Sequence, residues 1–313
     1  MFNLRILLSF FYYRTTDLEK LLTRDINPQP EVFSDSGAFS AFTKGQPISA
    51  EQYGYWLIKW RKYFQVMANL DVIGDPESTL VNQGILESMG LPVLPVFHTG
   101  DDFKYLEQYL EQYQYIALGG MVPYLRNAES RLMAWLVKCF KLAEGKAVFH
   151  GFGCTSWLCL KAFPWYSVDS SSWGQGFRYG QVPLFDERRG KFVDVHLGDR
   201  RSCYKQAAII RECGFDPEDF SDRKRNDRAK ICGLSALSYM KAESWLRKRH
   251  GEIFIPNADT PAVLRAYQAD ANPVRYVEAQ AGLRLHIADG ASANLSDAAT
   301  GIKVYLSGLA KEY

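Results

Sequence analysis

The sequence predicts an α/β fold built on a parallel sheet, with a (β/α)8 TIM-type barrel carrying C-terminal additions as the first choice. Three observations predict it. Short apolar runs, of a length suited to strands buried on both faces, alternate with longer stretches of helical period. Six or seven such units follow one another, which is the pattern of a parallel α/β fold. Acidic and polar residues gather at the C-terminal ends of the runs, where a barrel keeps its functional groups. A doubly wound sheet is the alternative from pattern alone, and it is weakened by the lack of a glycine-rich dinucleotide fingerprint or a GxxxxGK[ST] phosphate loop.

In chain order, the first run is Ile6–Tyr13. Counted from Leu4 it is about ten residues, with Arg5 interrupting it. A membrane span needs roughly 20 apolar residues, and no small-residue cleavage site follows, so the run reads as a buried strand. The next runs are Val32–Phe39, Val66–Ile73, Pro92–His98, Tyr115–Met121, Ala147–Gly153 and Trp165–Asp169. Between them, Tyr53, Leu57, Trp60 and Phe64 share one helical face. Phe103, Leu106, Leu110 and Tyr113 share another, with Asp101 placed as its N-cap. A third helix runs from Glu129 towards Gly145, with Leu132, Leu136, Cys139 and Phe140 on its apolar side. Gly90 and Gly145 stand where helix C-termini favour glycine.

After Asp169 the rhythm changes. Residues 174–200 read as hairpin and loop, and residues 199–250 carry 13 Lys+Arg against 8 Asp+Glu. The expected organisation is a barrel domain over residues 1–255, with a basic insertion at about 174–250, and a C-terminal extension over 256–313. Hydrophobic residues make up 47% of the 313 and charged residues 23%, enough for a sizeable core. The net charge of +2 does not announce a nucleic-acid partner, which would have to be met by a local patch. Six scattered cysteines without a CxxC suit a reducing cytoplasm rather than a disulfide framework.

The chemistry-bearing residues lie at the run ends. Asp35 precedes Ser36, Gly37, Ala38 and Phe39; Asp71 precedes Asp75 and Glu77; His98, Gly119–Gly120–Met121, His150–Gly151 and Gly153, and Asp169 end the later runs. Carboxylates converging on one mouth are costly unless the site needs them. Two such groups suit the cleavage and re-formation of a glycosidic bond, one attacking the anomeric carbon and the other carrying the proton of the departing base. A third carboxylate and the backbone of a Gly-Gly turn can read the edge of a planar heterocycle, and Phe39 can stack on it. Each residue also has a plain structural reading. Asp-Ser-Gly is a common turn, Asp169 before three serines can cap a helix, Asp71 can be a turn residue, His98 can be a satisfied structural histidine, and Gly119–Gly120 can serve packing.

Six segments in order, FSDSGAFSAF (33–42), ANLDVIGDPESTLVNQ (68–83), PVFHTGDDFKYLEQYL (95–110), YIALGGMVPY (115–124), HGFGCTS (150–156) and YSVDSSSW (166–173), resemble the queuine/guanine transglycosylases. They are most similar to the branch that inserts 7-deazaguanines into DNA in phages and bacterial modification systems. The resemblance covers most of residues 5–180. It implies a barrel and base exchange without ATP or a redox cofactor. It implies that Asp169 is the nucleophile, forming a covalent sugar–enzyme intermediate, and that Asp35 is the general acid/base. Asp71 matches the carboxylate that recognises the base, Phe39 the aromatic that stacks on it, and Gly119, Gly120 and Met121 the segment whose backbone faces it. Gly151 and Gly153 match the glycines before the nucleophile strand; Ser36, Gly37 and His98 fall in the same substrate-binding set.

The chain departs from the family in three places. The CxCxxC…H zinc site of the tRNA-acting enzymes is absent, and the spacing of His196, Cys203, Cys213 and Cys232 is not a recognised zinc signature. No cofactor or metal is therefore expected. The family's DSGG is DSGA here, and the nucleophile is followed by SSSW. Both variants resemble the DNA branch. The expected partners are DNA and a 7-deazaguanine base, with no membrane, in the cytoplasm (the host's, if the gene is a phage's). Flipping a base out of a duplex costs a few kcal/mol, which phosphate contacts and stacking must offset. Trp173, Arg178, Arg223, Lys224, Arg225 and Arg228 are the candidate nucleic-acid contacts, with Tyr179 beside them. The same chemistry on tRNA, a barrel glycoside hydrolase and a non-catalytic nucleic-acid-binding relative are the competing readings.

Overall fold

The computed structural model describes residues 5–25, 29–127, 129–154, 156–222, 227–251, 253 and the backbone of 302–307. The fold is mixed α/β around a mainly parallel nine-stranded sheet. Its strands are β1 (Arg5–Ser9), β2 (Glu31–Asp35), β3 (Phe64–Ala68), β4 (Val93–Leu94), β5 (Val96–His98), β6 (Tyr115–Gly119), β7 (Val148–Gly151), β8 (Ser167–Ser170) and β11 (Ile302–Ser307). A separate antiparallel hairpin pairs β9 (Gln181–Asp186) with β10 (Lys191–His196). The order in the large sheet is β4-β3-β2-β1-β11-β8-β7-β6-β5. Its two end strands are consecutive in the chain, with only Pro95 between them. Proline has no N–H to give to a ladder, yet its carbonyl still accepts Ala117 N–H at 2.8 Å.

The sheet is buried on both faces. Ile6, Leu8, Val32, Met67, Phe97, Ile116, Phe149 and Val168 pack with the surrounding helices into the main core. Residues of opposite parity, Leu7, Phe33, Ala68, Leu94, Val96, Tyr115, Ala117 and Val148, form a second cluster on the inner face. Side chains alternate along a strand, so near-continuous apolar runs are what two buried faces require.

The strands are shorter than the apolar runs that announced them. Phe10–Tyr13 is a helical turn after β1, and Ala38–Lys44 is a helix after β2. In both places aromatic and alanine side chains continue the burial while the backbone changes period, so hydrophobicity overran the strand ends. Asp102, not Asp101, caps the Phe103–Gln112 helix, because the Asp101 carboxylate accepts His98 N–H at 3.0 Å instead. Phe64 opens β3 rather than continuing the Ala50–Trp60 helix, which ends in a 3-10 turn at Arg61–Tyr63. Gly90 and Gly145 do follow helix ends, with φ +75° and +69°.

The insertion after β8 has a small core of its own. Val182, Leu184, Val195, Leu197, Cys203, Ile210 and Phe220 close it under the hairpin, and Ile231 and Leu234 join it from the Arg228–His250 helix. That helix also reaches the main core through Cys232 and Leu246. β11 comes from the stretch set apart as a C-terminal extension, yet it lies inside the sheet, antiparallel to both β1 and β8. An all-parallel set of strands is therefore not what closes this part of the sheet. Periodicity reports which faces are buried, not strand direction. No helix among the described residues is long and apolar enough to cross a membrane.

Candidate active site

Parallel strands present their C-terminal ends along one edge, and alternation selects the face. Asp35 is two residues beyond Phe33, His98 two beyond Val96, and His150 two beyond Val148, so all three share the inner face. Asp169, on β8, faces His150 from the neighbouring strand. The Phe33 ring stacks on His150 at 4.6 Å between centroids, tying the Asp35 strand to the Asp169 side across that face.

The turn after β2 is fixed by its glycine. Gly37 has φ +79°, and a Cβ there would come within 2.2 Å of Ser9 Oγ and 2.5 Å of Phe11 Cβ. Gly37 N–H donates to Asp35 Oδ2 at 3.1 Å, and Phe11 N–H donates to the Ser36 carbonyl at 3.2 Å. Asp35 is thus held in a buried turn packed on the end of β1. The Ser36 hydroxyl accepts Ala38 N–H at 3.2 Å and reaches Asp71 Oδ1 at 3.4 Å. Ala38, the departure from the double glycine, buries its methyl in the main core, so it is accommodated there. Phe39, next in the chain, is 60% exposed.

Asp71 lies three residues past β3. His98 Nε2 is 2.8 Å from its Oδ2, and Asp101 stands on the other side of the ring, 3.8 Å from Nδ1. Burial opposes the His98 imidazolium, but the hydrogen bond and charge of Asp71, aided by Asp101, outweigh it and raise its pKa above the ordinary histidine value. Burial pushes the Asp101 carboxyl up. The Asp71 and Asp101 carboxylates thus favour the imidazolium form of His98.

Gly119 and Gly120 close against this strand end. A Cβ on Gly119 would meet His98 Cδ2 at 2.6 Å; one on Gly120, at φ +71°, would meet Thr99 Oγ1 at 2.6 Å. The pair thus has a packing reason of its own. Met121 is buried in the main core.

Asp169 sits within β8 and is fully buried, so it is not a helix cap. Gly153 N–H donates to its Oδ1 at 2.7 Å, from a residue with φ +60°. His150 Nε2 is 3.5 Å from the same oxygen. Gly151 has no room for a side chain, since a Cβ would meet Trp165 Cζ3 at 2.9 Å and Cys154 Cβ at 3.0 Å. Behind His150, Nδ1 is 2.7 Å from Ser167 Oγ, which is 2.6 Å from Tyr115 Oη. The sequence pattern gave Ser167 and Tyr115 no role and marked His150 only as a strand end. Polar residues on an inner strand face, at the period of Val148 and Ala117, were the available signal.

Thus Asp71, Ser36 and His98 are hydrogen-bonded together, as are Asp169 and Gly153, with His150 against Asp169. The candidate nucleic-acid residues are more dispersed. Arg178 and Tyr179 are exposed on the Gln175–Tyr179 helix. Arg228 opens the Arg228–His250 helix. Arg223, Lys224, Arg225 and the side chain of Trp173 lie outside the described residues. Part of the basic insertion is internally matched: Lys230 bonds Asp219 at 2.6 Å, Lys241 bonds Glu212 at 3.4 Å, and Arg247 pairs with Glu243. Arg247, Lys248, Arg249 and His250 fill the last turn of their helix, where cations favour the dipole. Cys203, Cys213 and Cys232 are buried apolar thiols, and no group of three His, Cys, Asp or Glu side chains among the described residues is arranged to hold a metal ion. No protein-family model matches the chain, and no curated protein matches it.

Proposed function

We propose that the chain is a base-exchange transglycosylase that replaces guanine in DNA by a 7-deazaguanine through a covalent Asp169–sugar intermediate. The observation that carries the reading is the gathering of Asp35, Asp71 and Asp169 at one edge of the sheet, in three different environments. Asp169 Oδ1 is fixed by Gly153 N–H and faces His150, so the carboxylate is oriented before substrate arrives. In the first half-reaction a carboxylate oxygen bonds the anomeric carbon as the glycosidic C–N bond breaks, and Asp35 delivers a proton to the departing guanine. In the second, Asp35 takes a proton from the incoming base, whose nitrogen displaces the Asp169 ester. Asp71, braced by Ser36 and His98, would accept the N–H groups on the guanine-like edge.

The finer architecture belongs to the same proposal: an eight-stranded barrel in which β4 and β5 act as one strand broken at Pro95. Three facts support closure. The end strands of the sheet are adjacent in the chain, seven strands share the inner cluster, and Phe33 of β2 stacks on His150 of β7. β11, antiparallel, would be the eighth strand. Exposed Phe39 can stack on the exchanged base, and Arg178 and Tyr179 can follow the strand. Incubation with guanine-containing DNA, or with tRNA, plus labelled 7-cyano-7-deazaguanine, followed by nucleoside mass spectrometry, tests the reading. Label in deoxynucleosides supports it. Label only in the tRNA digest keeps the chemistry and replaces the substrate. No label in either overturns it.

A further inference from the structure

Behind Asp169 lies a set of buried groups that the exchange reaction itself does not require. Tyr115 of β6, Ser167 of β8 and His150 of β7 run in series, at 2.6 and 2.7 Å, to a point 3.5 Å from Asp169 Oδ1. Ser167, His150 and Asp169 are fully buried. Phe33 stacked on the ring and Phe152 edge-on to it, both at 4.6 Å, fix the imidazole plane.

Proton counting sets the direction. Tyr115 and Ser167 each carry one hydroxyl proton, and a neutral imidazole carries one N–H. If Ser167 donates to Nδ1, the imidazole proton is on Nε2 and points at the Asp169 carboxylate. The reverse order turns the bare Nε2 lone pair towards a carboxylate oxygen, two acceptors facing each other in a buried site, which is costly. Cys154 also feels Asp169; its thiol is pushed well up by the neighbouring Cys159 thiol, by burial and by Asp169 itself, so it adds no charge.

We infer that Tyr115, Ser167 and His150 form a hydrogen-bonded series that holds the His150 ring, with a proton on Nε2, against the Asp169 carboxylate, and that His150 is the positioning residue of Asp169. The inference rests on the proposed reading for its catalytic consequence, but its geometry can be read without any reaction. The chain has five histidines, so proton–nitrogen correlation spectra of the isotopically labelled full-length protein resolve each tautomer. His150→Phe, which keeps a ring on Phe33, assigns the resonance. If that variant does not fold, Tyr115→Phe assigns it by the shift it causes. A proton on His150 Nε2 is expected at neutral pH; a neutral Nδ1–H tautomer, with Nε2 bare, overturns the relay. In single-turnover base exchange, His150→Phe is expected to lower the chemical rate about 100-fold while the affinity for the base stays the same, and His150→Gln, which retains an N–H, to recover part of the loss. An unchanged rate in His150→Phe beside an active wild type overturns the positioning role alone. An inactive wild type overturns the transglycosylase reading and leaves the relay to the spectra.

Discussion

Asp71–His98 and Asp169–His150 are both histidine–carboxylate pairs at the same edge of the same sheet. In the first, the groups are 2.8 Å apart, with side chains 13% and 7% exposed, and a second carboxylate, Asp101, backs the histidine. In the second, the groups are 3.5 Å apart with both side chains fully buried, and neutral hydroxyls back the histidine. A second carboxylate behind a histidine favours the imidazolium, whereas a chain of hydroxyls, which can donate or accept, adds no charge behind the ring. One fold edge therefore carries a partly open pair whose surroundings favour charge on the histidine and a pair fully withdrawn from solvent, which the proposal assigns to base recognition and to the nucleophile. The two pairs differ most in what stands behind each histidine.

The comparison can be broken by substitution. The largest effect is expected at the closed pair: Asp169→Asn, nearly isosteric, should lower exchange by about 10^4-fold or more, because an amide is a poor nucleophile. Wild-type turnover in that variant, measured by label incorporation, ends the assignment. Asp35→Ala should slow both half-reactions by roughly 10^2- to 10^4-fold, the usual worth of a positioned proton donor. Pre-steady-state kinetics with each base separately would expose a loss confined to one half. At the open pair, Asp71→Asn should raise KM for the incoming base about tenfold or more and leave kcat within a few-fold, since it weakens recognition and not bond making. A kcat loss without a KM change would exchange the two pairs' roles.

The smaller effects concern stability. The folded-state pKa of His98 is raised, so the coupling of its charge to Asp71 and Asp101 contributes fully below the unfolded value of about 6.5 and is lost as pH rises through the folded value. The stability advantage of wild type over His98→Gln should therefore shrink as pH climbs from about 6.5, read by thermal unfolding across pH. An advantage that grows with pH contradicts the charged-pair description. Gly120→Ala should cost about 1–3 kcal/mol, since φ is +71° and Thr99 Oγ1 stands 2.6 Å from the new Cβ. Denaturant titration would measure it.

Much of this was legible in the chain. The alternation of apolar runs and amphipathic stretches announced the α/β fold, and Gly90 and Gly145 marked helix ends by their need for positive φ. Asp35 and Asp169 stood out because they end apolar runs. What was not legible depended on partners distant in sequence. Asp101 gave up the cap to Asp102 because His98 N–H was nearer its carboxylate. His150 acquires its place from Ser167 and Tyr115, 17 and 35 residues away, through a face that local pattern does not orient. β11 was invisible because its alternation carries no direction and its neighbours, β1 and β8, are far off in the chain.

The most direct test of the central claim is to trap the intermediate. Guanine-containing DNA is incubated with the protein without an incoming base, and the mixture is resolved under denaturing conditions. The expected result is a covalent protein–DNA species whose digest places the sugar on the peptide containing Asp169, absent in Asp169→Asn and discharged by adding 7-cyano-7-deazaguanine. A species that persists in Asp169→Asn, or free DNA throughout while labelled base is still incorporated, would contradict Asp169 as the nucleophile.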